Sequence, residues 1–307
     1  MKGLELAERF FLEYGEPMLK ENFSHILPLV SVGLMGEGSE CLGYDDEISA
    51  DHDFEAGFII FLPDEEIVDR RTAFSLERAY SKLPREFMGV KRSILSPVGG
   101  NRHGVMRISE FLMRHTGTED GRLTLDEWFN IPEQSLLEVT NGKIFFDGSG
   151  ELTRVRESLS YLPSDVRLKK LAGHLLLMGQ SGQYNYKRCI VRGDAPASAL
   201  SAFEFVKSAV HTVFLINSAY LPYYKWQFKA LSELPILSEL YTPLAELISA
   251  PTKNAHLIEE ISEKIIIEIK KEGLSSIDSP DLERHAYAVN DRISNGEVRN
   301  LNVLYGI

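Results

Sequence analysis

The 307 residues include only two cysteines, Cys41 and Cys189, and neither has a histidine or another cysteine close by in sequence. A disulfide framework and a cysteine-based zinc site are both unsupported, and the two thiols read as reduced packing residues. Basic charge is also scarce. Lys and Arg number 33 against 45 Asp and Glu, a net charge of −12. Sequence-independent binding to nucleic acid or to an anionic membrane needs a basic footprint, so neither is expected as the main partner. No apolar run reads as approaching the roughly eighteen residues of a membrane span. Nor does the first stretch resemble a signal peptide, because Glu5, Glu8, Glu13 and Glu16 interrupt it. The expectation is a cytoplasmic protein with no membrane segment.

What is present is a globular composition, 44% hydrophobic and 25% charged. A chain of this length suits two domains or one large one and can bury a core without a staple. Residues 3–20 carry apolar side chains at helical spacing. Residues 28–35 and 54–62 read as buried strands, with a helix from an Asp64 cap to about Tyr80 between the second strand and an irregular stretch at 84–103. A strand at 105–109, a short helix at 123–129 and a strand at 143–146 come next. Beyond residue 160 the pattern is helical: 165–180, 197–218, 224–233, 237–249, 255–272 and 280–295. Ala202, Phe203, Phe205, Val206, Ala209, Val210, Val213 and Phe214 form one apolar stripe. Leu257, Ile258, Ile261, Ile265 and Ile269 form another, and both read as core. These patterns predict an α/β domain over 1–158 and an all-helical domain over 159–307.

The chemistry-bearing stretch is Gly36-Glu-Gly-Ser-Glu-Cys-Leu-Gly-Tyr-Asp-Asp-Glu-Ile-Ser-Ala-Asp-His-Asp53. A buried strand delivers the chain to Gly38-Ser39, where backbone N–H groups and a hydroxyl can approach phosphate closely. Asp51 and Asp53 open the next strand, so their carboxylates share a face. Two hard-oxygen ligands held together suit Mg²⁺ and repel one another without it.

A Gly-Ser turn followed by Asp-x-Asp leading a strand resembles the nucleotidyltransferase superfamily, which includes antibiotic nucleotidyltransferases, poly(A) polymerases and DNA polymerase beta. Trp128-Phe129, Pro132–Leu137, Thr140–Asp147, Arg192-Gly-Asp194 and Asn217–Trp226 resemble domain-of-unknown-function family 4037. The resemblance covers roughly residues 25–240. It implies an α+β nucleotidyltransferase fold, a small mixed sheet with flanking helices followed by an all-helical C-terminal domain, with Gly38 and Ser39 on the nucleotide phosphates and Asp51 and Asp53 on Mg²⁺. ATP or another NTP would be the nucleotidyl donor, and a small molecule the hydroxyl acceptor. A third carboxylate is usual in such enzymes. Glu110, next to the strand at 105–109, is the first candidate and Asp147 the second, while Arg107 stands where an acid is expected. A catalytically silent nucleotide-binding module and a protein-nucleotidylating enzyme are the alternatives.

Several residues carry two readings. Lys225, within Tyr220–Trp226, either meets phosphate or belongs to an aromatic helix junction. Arg192 either holds triphosphate or sits in a surface ion pair. His52-Asp53 also spells the dyad of HD-type phosphohydrolases, but a strand pattern comes after it where that fold needs helix. Asp45, Asp46 and Glu47 read as a solvated loop. His174 and His211 lie on apolar helices and read as core or rim residues, and His103 as a candidate for lining the site.

Overall fold

The computed structural model describes residues 1–47, 55–92 and 102–307. Asp51, His52 and Asp53 lie outside the described residues. The chain divides into two compact units, Met1–Leu123 with Ser135–Ser160, and Thr124–Gln134 with Tyr161–Ile307.

In the first unit, α1 (Gly3–Phe10) passes through a wider turn at Phe11–Gly15 into α2 (Glu16–Asn22). Then come β1 (Ser31–Leu34), β2 (Ile59–Leu62) and α3 (Arg70–Ser81), followed by the short hairpin β3 (Glu86–Phe87) and β4 (Val90–Lys91). Next are β5 (Gly104–Arg107) and α4 (Ile108–Thr116). After α5 (Leu125–Asn130), α6 (Glu133–Thr140) leads to β6 (Lys143–Asp147) and α7 (Glu151–Ser158). The sheet order is β5-β2-β1-β6, with β1 antiparallel to β2 and β6, and β2 parallel to β5. The fold is thus α+β with a small mixed sheet, as the resemblance implies.

Every residue of β1 and β2 is buried, the pattern of strands covered on both faces. Phe10, Phe11, Phe58, Tyr80 and Phe87 form the aromatic part of the core. The Tyr80 hydroxyl donates to Phe58 O (2.9 Å) and accepts from Phe58 N (3.1 Å), which fixes the approach to β2.

The second unit adds α8 (Ser164–Met178), α9 (Lys187–Arg192), α10 (Ala195–Ile216), α11 (Gln227–Ser232), α12 (Tyr241–Ser249), α13 (His256–Lys271), α14 (Leu282–Asn290) and α15 (Gly296–Asn300). It also includes α5, which lies within the range expected to be purely α+β. Phe129 packs edge-on against Tyr305 at 5.1 Å between ring centroids, and the Tyr305 hydroxyl donates to Asp126. α10 is, contrary to the sequence expectation, long and apolar enough by length and composition to cross a membrane, but 61% of that window is buried inside the protein. It is the core helix of this unit. The α13 stripe is buried throughout, whereas Phe203 on α10 is exposed.

Other expectations shift locally. α3 is capped by Asp69, whose Oδ1 accepts from Thr72 N at 2.7 Å, rather than by Asp64. Asp45 is buried rather than solvated. Its Oδ2 accepts from Gly3 N at 2.8 Å and so caps α1. β5 ends at Arg107, and 108–109 are already helical.

Candidate functional site

The register pairs Gly33 with Ile59 and Ile59 with Gly104. The carboxyl end of β1 therefore meets the amino ends of β2 and β5 at one edge of the sheet. Gly38-Ser39 leave β1 at this edge, and Arg102 and His103 lead into β5 beside them.

The turn is built from glycine. Gly36 and Gly38 have φ of +105° and +125°, and a Cβ on Gly38 would stand 1.7 Å from Arg102 Nη2. No other residue type fits there. Gly36 N donates to Asn141 Oδ1 and Asn141 Nδ2 donates back to Gly36 O, each at 2.9 Å. Arg102 Nη2 donates to Glu37 O at 2.5 Å and pairs with Glu40. Its Nε is buried without a partner among the described residues. A cavity of about 290 Å³ opens beside the turn, lined by Gly36, Glu37, Arg102, Arg114 and His115 among others. Backbone, one partly unsatisfied guanidinium and a second guanidinium converge on it, an arrangement that can hold an anion.

Ser39 leads into a single 3₁₀ turn, Glu40–Leu42, ended by Gly43 at φ +73°. Only this short turn, and no α-helix, follows Ser39 through residue 47, so the turn lacks the dipole of a full helix. Cys41 is buried there, and burial pushes its thiol up to about 12, so it is inert. Nearby, His103 Nδ1 lies 2.8 Å from Glu55 Oε1, and His103 Nε2 is buried without a partner among the described residues.

Glu110 and Asp147 are both placed elsewhere. Leu62 pairs with Arg107 and Ser31 with Asp147, which puts both residues at the opposite end of the strands from Gly38, Glu110 after β5 and Asp147 on β6. Glu110 occupies the first turn of α4 and accepts from Arg107 N at 3.1 Å, as a capping residue. Asp147 Oδ1 accepts from Ser31 Oγ (2.7 Å) and Gly150 N (2.9 Å), and Oδ2 from Thr153 N (3.0 Å) and Thr153 Oγ1 (2.5 Å). Burial alone would raise this carboxyl, but the bonds from Thr153, Ser31 and Gly150 hold it below the usual range.

Lys225 and Arg192 belong to the second unit and are exposed. Lys225 Nζ stands over the Trp226 ring at 5.2 Å. Arg192 ends α9 before Gly193 (φ +70°), and Asp194 caps α10 by accepting from Ala197 N at 3.0 Å. The Arg192-Gly-Asp194 motif is thus a helix stop and a helix start. Asn141, Arg102 and Glu55 escaped the sequence reading. An Asn-Gly turn signals a bend and not its partner, and the other two flank undistinguished loops.

Among the described residues, no group of three or more His, Cys, Asp or Glu side chains is arranged to hold a metal ion. The donor set that suits a divalent cation chemically is Asp51 with Asp53, two carboxylates one residue apart.

Residues 128–227 match a family described as Domain of unknown function (DUF4037). The match contains Trp128-Phe129, Asn141, Arg192 and Lys225 and stops short of Gly38-Ser39 and the Asp-x-Asp pair. No curated protein matches the chain. A distant structural likeness is to the crystal structure of a nucleotidyltransferase-like protein from Exiguobacterium sibiricum 255-15. Identity is 9% and the TM-score 0.38, over 92% of this chain and 81% of that one.

Proposed function

We propose that the protein is a Mg²⁺-dependent nucleotidyltransferase that moves a nucleotidyl group from ATP or another NTP to a hydroxyl on a small molecule. The observation that carries this reading is the Gly36–Ser39 turn at the sheet edge where β2 begins. It offers backbone and Arg102 to an anion, on the strand pair that brackets Asp51 and Asp53 in sequence. Arg102 and the turn would hold the triphosphate, and Asp51 with Asp53 would hold the ion. Magnesium, when bound, neutralises charge on the phosphates. The acceptor oxygen attacks the α-phosphorus, pyrophosphate leaves, and the hydroxyl proton passes to a base. Glu110 and Asp147 are spent on capping at the other end of the strands, so we assign the base to His103, oriented by Glu55.

Isothermal calorimetry with Mg·ATP and Mg·GTP tests the reading. Wild type is expected to bind at least one, and Asp51→Ala/Asp53→Ala to bind neither while keeping its circular dichroism. Equal binding by the two proteins would sink the metal assignment. The engagement of Glu110 and Asp147 elsewhere also favours a second reading, a nucleotide-binding module without turnover. Pyrophosphate release over a panel of hydroxyl acceptors separates the two, because the silent module binds and releases nothing.

A further inference from the structure

The second unit contains a cavity of about 610 Å³, a volume typical of small-molecule sites. Its walls come from the α5–α6 junction, α8, α10 and the Leu221–Tyr224 segment, with Phe129, Leu177 and Ile307 supplying apolar surface.

Its polar groups fall into two sets. The first is already satisfied. Glu133, with a side chain only 4% exposed, has Oε1 at 2.8 Å from His211 Nε2 and 3.8 Å from Lys170 Nζ. Its Oε2 accepts from Leu221 N at 3.2 Å. Nearer solvent, Lys207 pairs with Glu204 at 3.7 Å. Glu133 is thus shared by His211 and Lys170, and Lys207 has Glu204. The second set is His174, 6% exposed, whose Nδ1 and Nε2 are both buried with no hydrogen-bond partner among the described residues. Its ring centroid lies 4.0 Å from that of His211. Burial, reinforced by the positive charges of its neighbours, keeps the imidazole neutral and well below the usual histidine range. A neutral imidazole has one N–H donor and one bare nitrogen acceptor. Buried polar atoms are nearly always paired, so two orphans on one ring in a cavity wall mark a place for a ligand.

The groups left free and the groups already paired together define the ligand chemistry. Among the described side chains that line the cavity, Glu133 and Glu204 are already engaged by Lys170, His211 and Lys207, which leaves none of these charges open for an ammonium, phosphate or carboxylate group. The unmet need is one donor and one acceptor, and a hydroxyl serves either nitrogen in either tautomer. Tyr223 and Tyr224, with ring centroids 4.4 Å apart, are exposed at this cavity and offer flat faces to an alicyclic ring. We propose that this cavity binds a neutral polyhydroxylated small molecule, such as a sugar or cyclic polyol, through hydroxyls bonded to the two ring nitrogens of His174. The inference rests on the cavity alone and requires no nucleotide.

Saturation-transfer NMR on the full chain, without nucleotide, provides the test. The probes are glucose, myo-inositol and glycerol beside glucosamine in its ammonium form and gluconate. The neutral compounds are expected to show transfer and their charged counterparts to bind several-fold more weakly. His174→Phe should abolish transfer, and His174→Gln, which keeps a donor and an acceptor, should retain part of it. Absence of transfer to every neutral probe, equal or tighter binding of a charged one, or wild-type binding by His174→Phe overturns the proposal. If His174→Phe fails to fold, imidazole ¹⁵N shifts of the wild type decide. Inositol must move those of His174, and unmoved shifts overturn it equally. Failure on any of these counts leaves the calorimetric test of nucleotide binding untouched.

Discussion

Glu133 shows how much a single buried side chain can organise. Burial by itself would raise its carboxyl, but His211, Lys170 and Leu221 N together hold it below the usual range. Lys170 stays below the ordinary lysine range because burial outweighs the help from Glu133. Removing the carboxylate strands a buried ammonium. Glu133→Ala should therefore cost about 3–5 kcal/mol in urea denaturation, and Glu133→Leu/Lys170→Met should recover most of it. The acid limb has two parts. An imidazole held low when folded takes up its proton first in the unfolded chain, so His174 removes stability as pH falls below ~6.5. Glu133 and Asp147, also held low, remove more as pH falls below ~4. Urea midpoints against pH should thus decline in two stages, and His174→Phe should erase the upper one. The sequence showed His174 and His211 on apolar helices and nothing of Glu133. The three meet only in the folded chain, with 78 residues separating Glu133 from His211.

Among the elements, those with a strong period were legible and those set by a partner were not. The α10 and α13 stripes and the apolar β1 and β2 could be read because burial repeats along them. α4 was hidden because Ile108 continues the apolar run of β5, and the capping Glu110 looked like a strand acid. The glycine turn was legible as a turn, but its clamp was not. That clamp makes a specific prediction. Gly142 has φ +64°, and a Cβ there would lie 2.0 Å from Leu34 O, at the end of β1. Gly142→Ala combines left-handed strain of about 1–2 kcal/mol with a backbone collision. It should lower thermal stability and displace the neighbouring Asn141 from Gly36. Loss of the slow-exchanging Gly36 amide in hydrogen exchange would register this, and an unchanged amide would count against the clamp.

At the scale of the molecule, chain length allowed two domains or one large one, and the texture change near 160 was the only boundary signal. It could not give the return of α5 to the second unit, since that depends on partners near residue 305. Deleting Tyr305–Ile307 exposes Phe129 and frees Asp126, and should cost about 2–4 kcal/mol in urea. A deletion with an unchanged midpoint would show that α5 is held by other contacts.

The same arrangement sets an order of events during synthesis. By the time Ser160 leaves the ribosome, the first unit has its whole sequence. α5 has also emerged, but Tyr305 has yet to be made. The 305 − 129 = 176 residues between the two aromatic partners take roughly 9–35 s at ordinary elongation rates. Until Tyr305 emerges, Phe129 lacks the ring that packs edge-on against it and stays open to chaperones on that face.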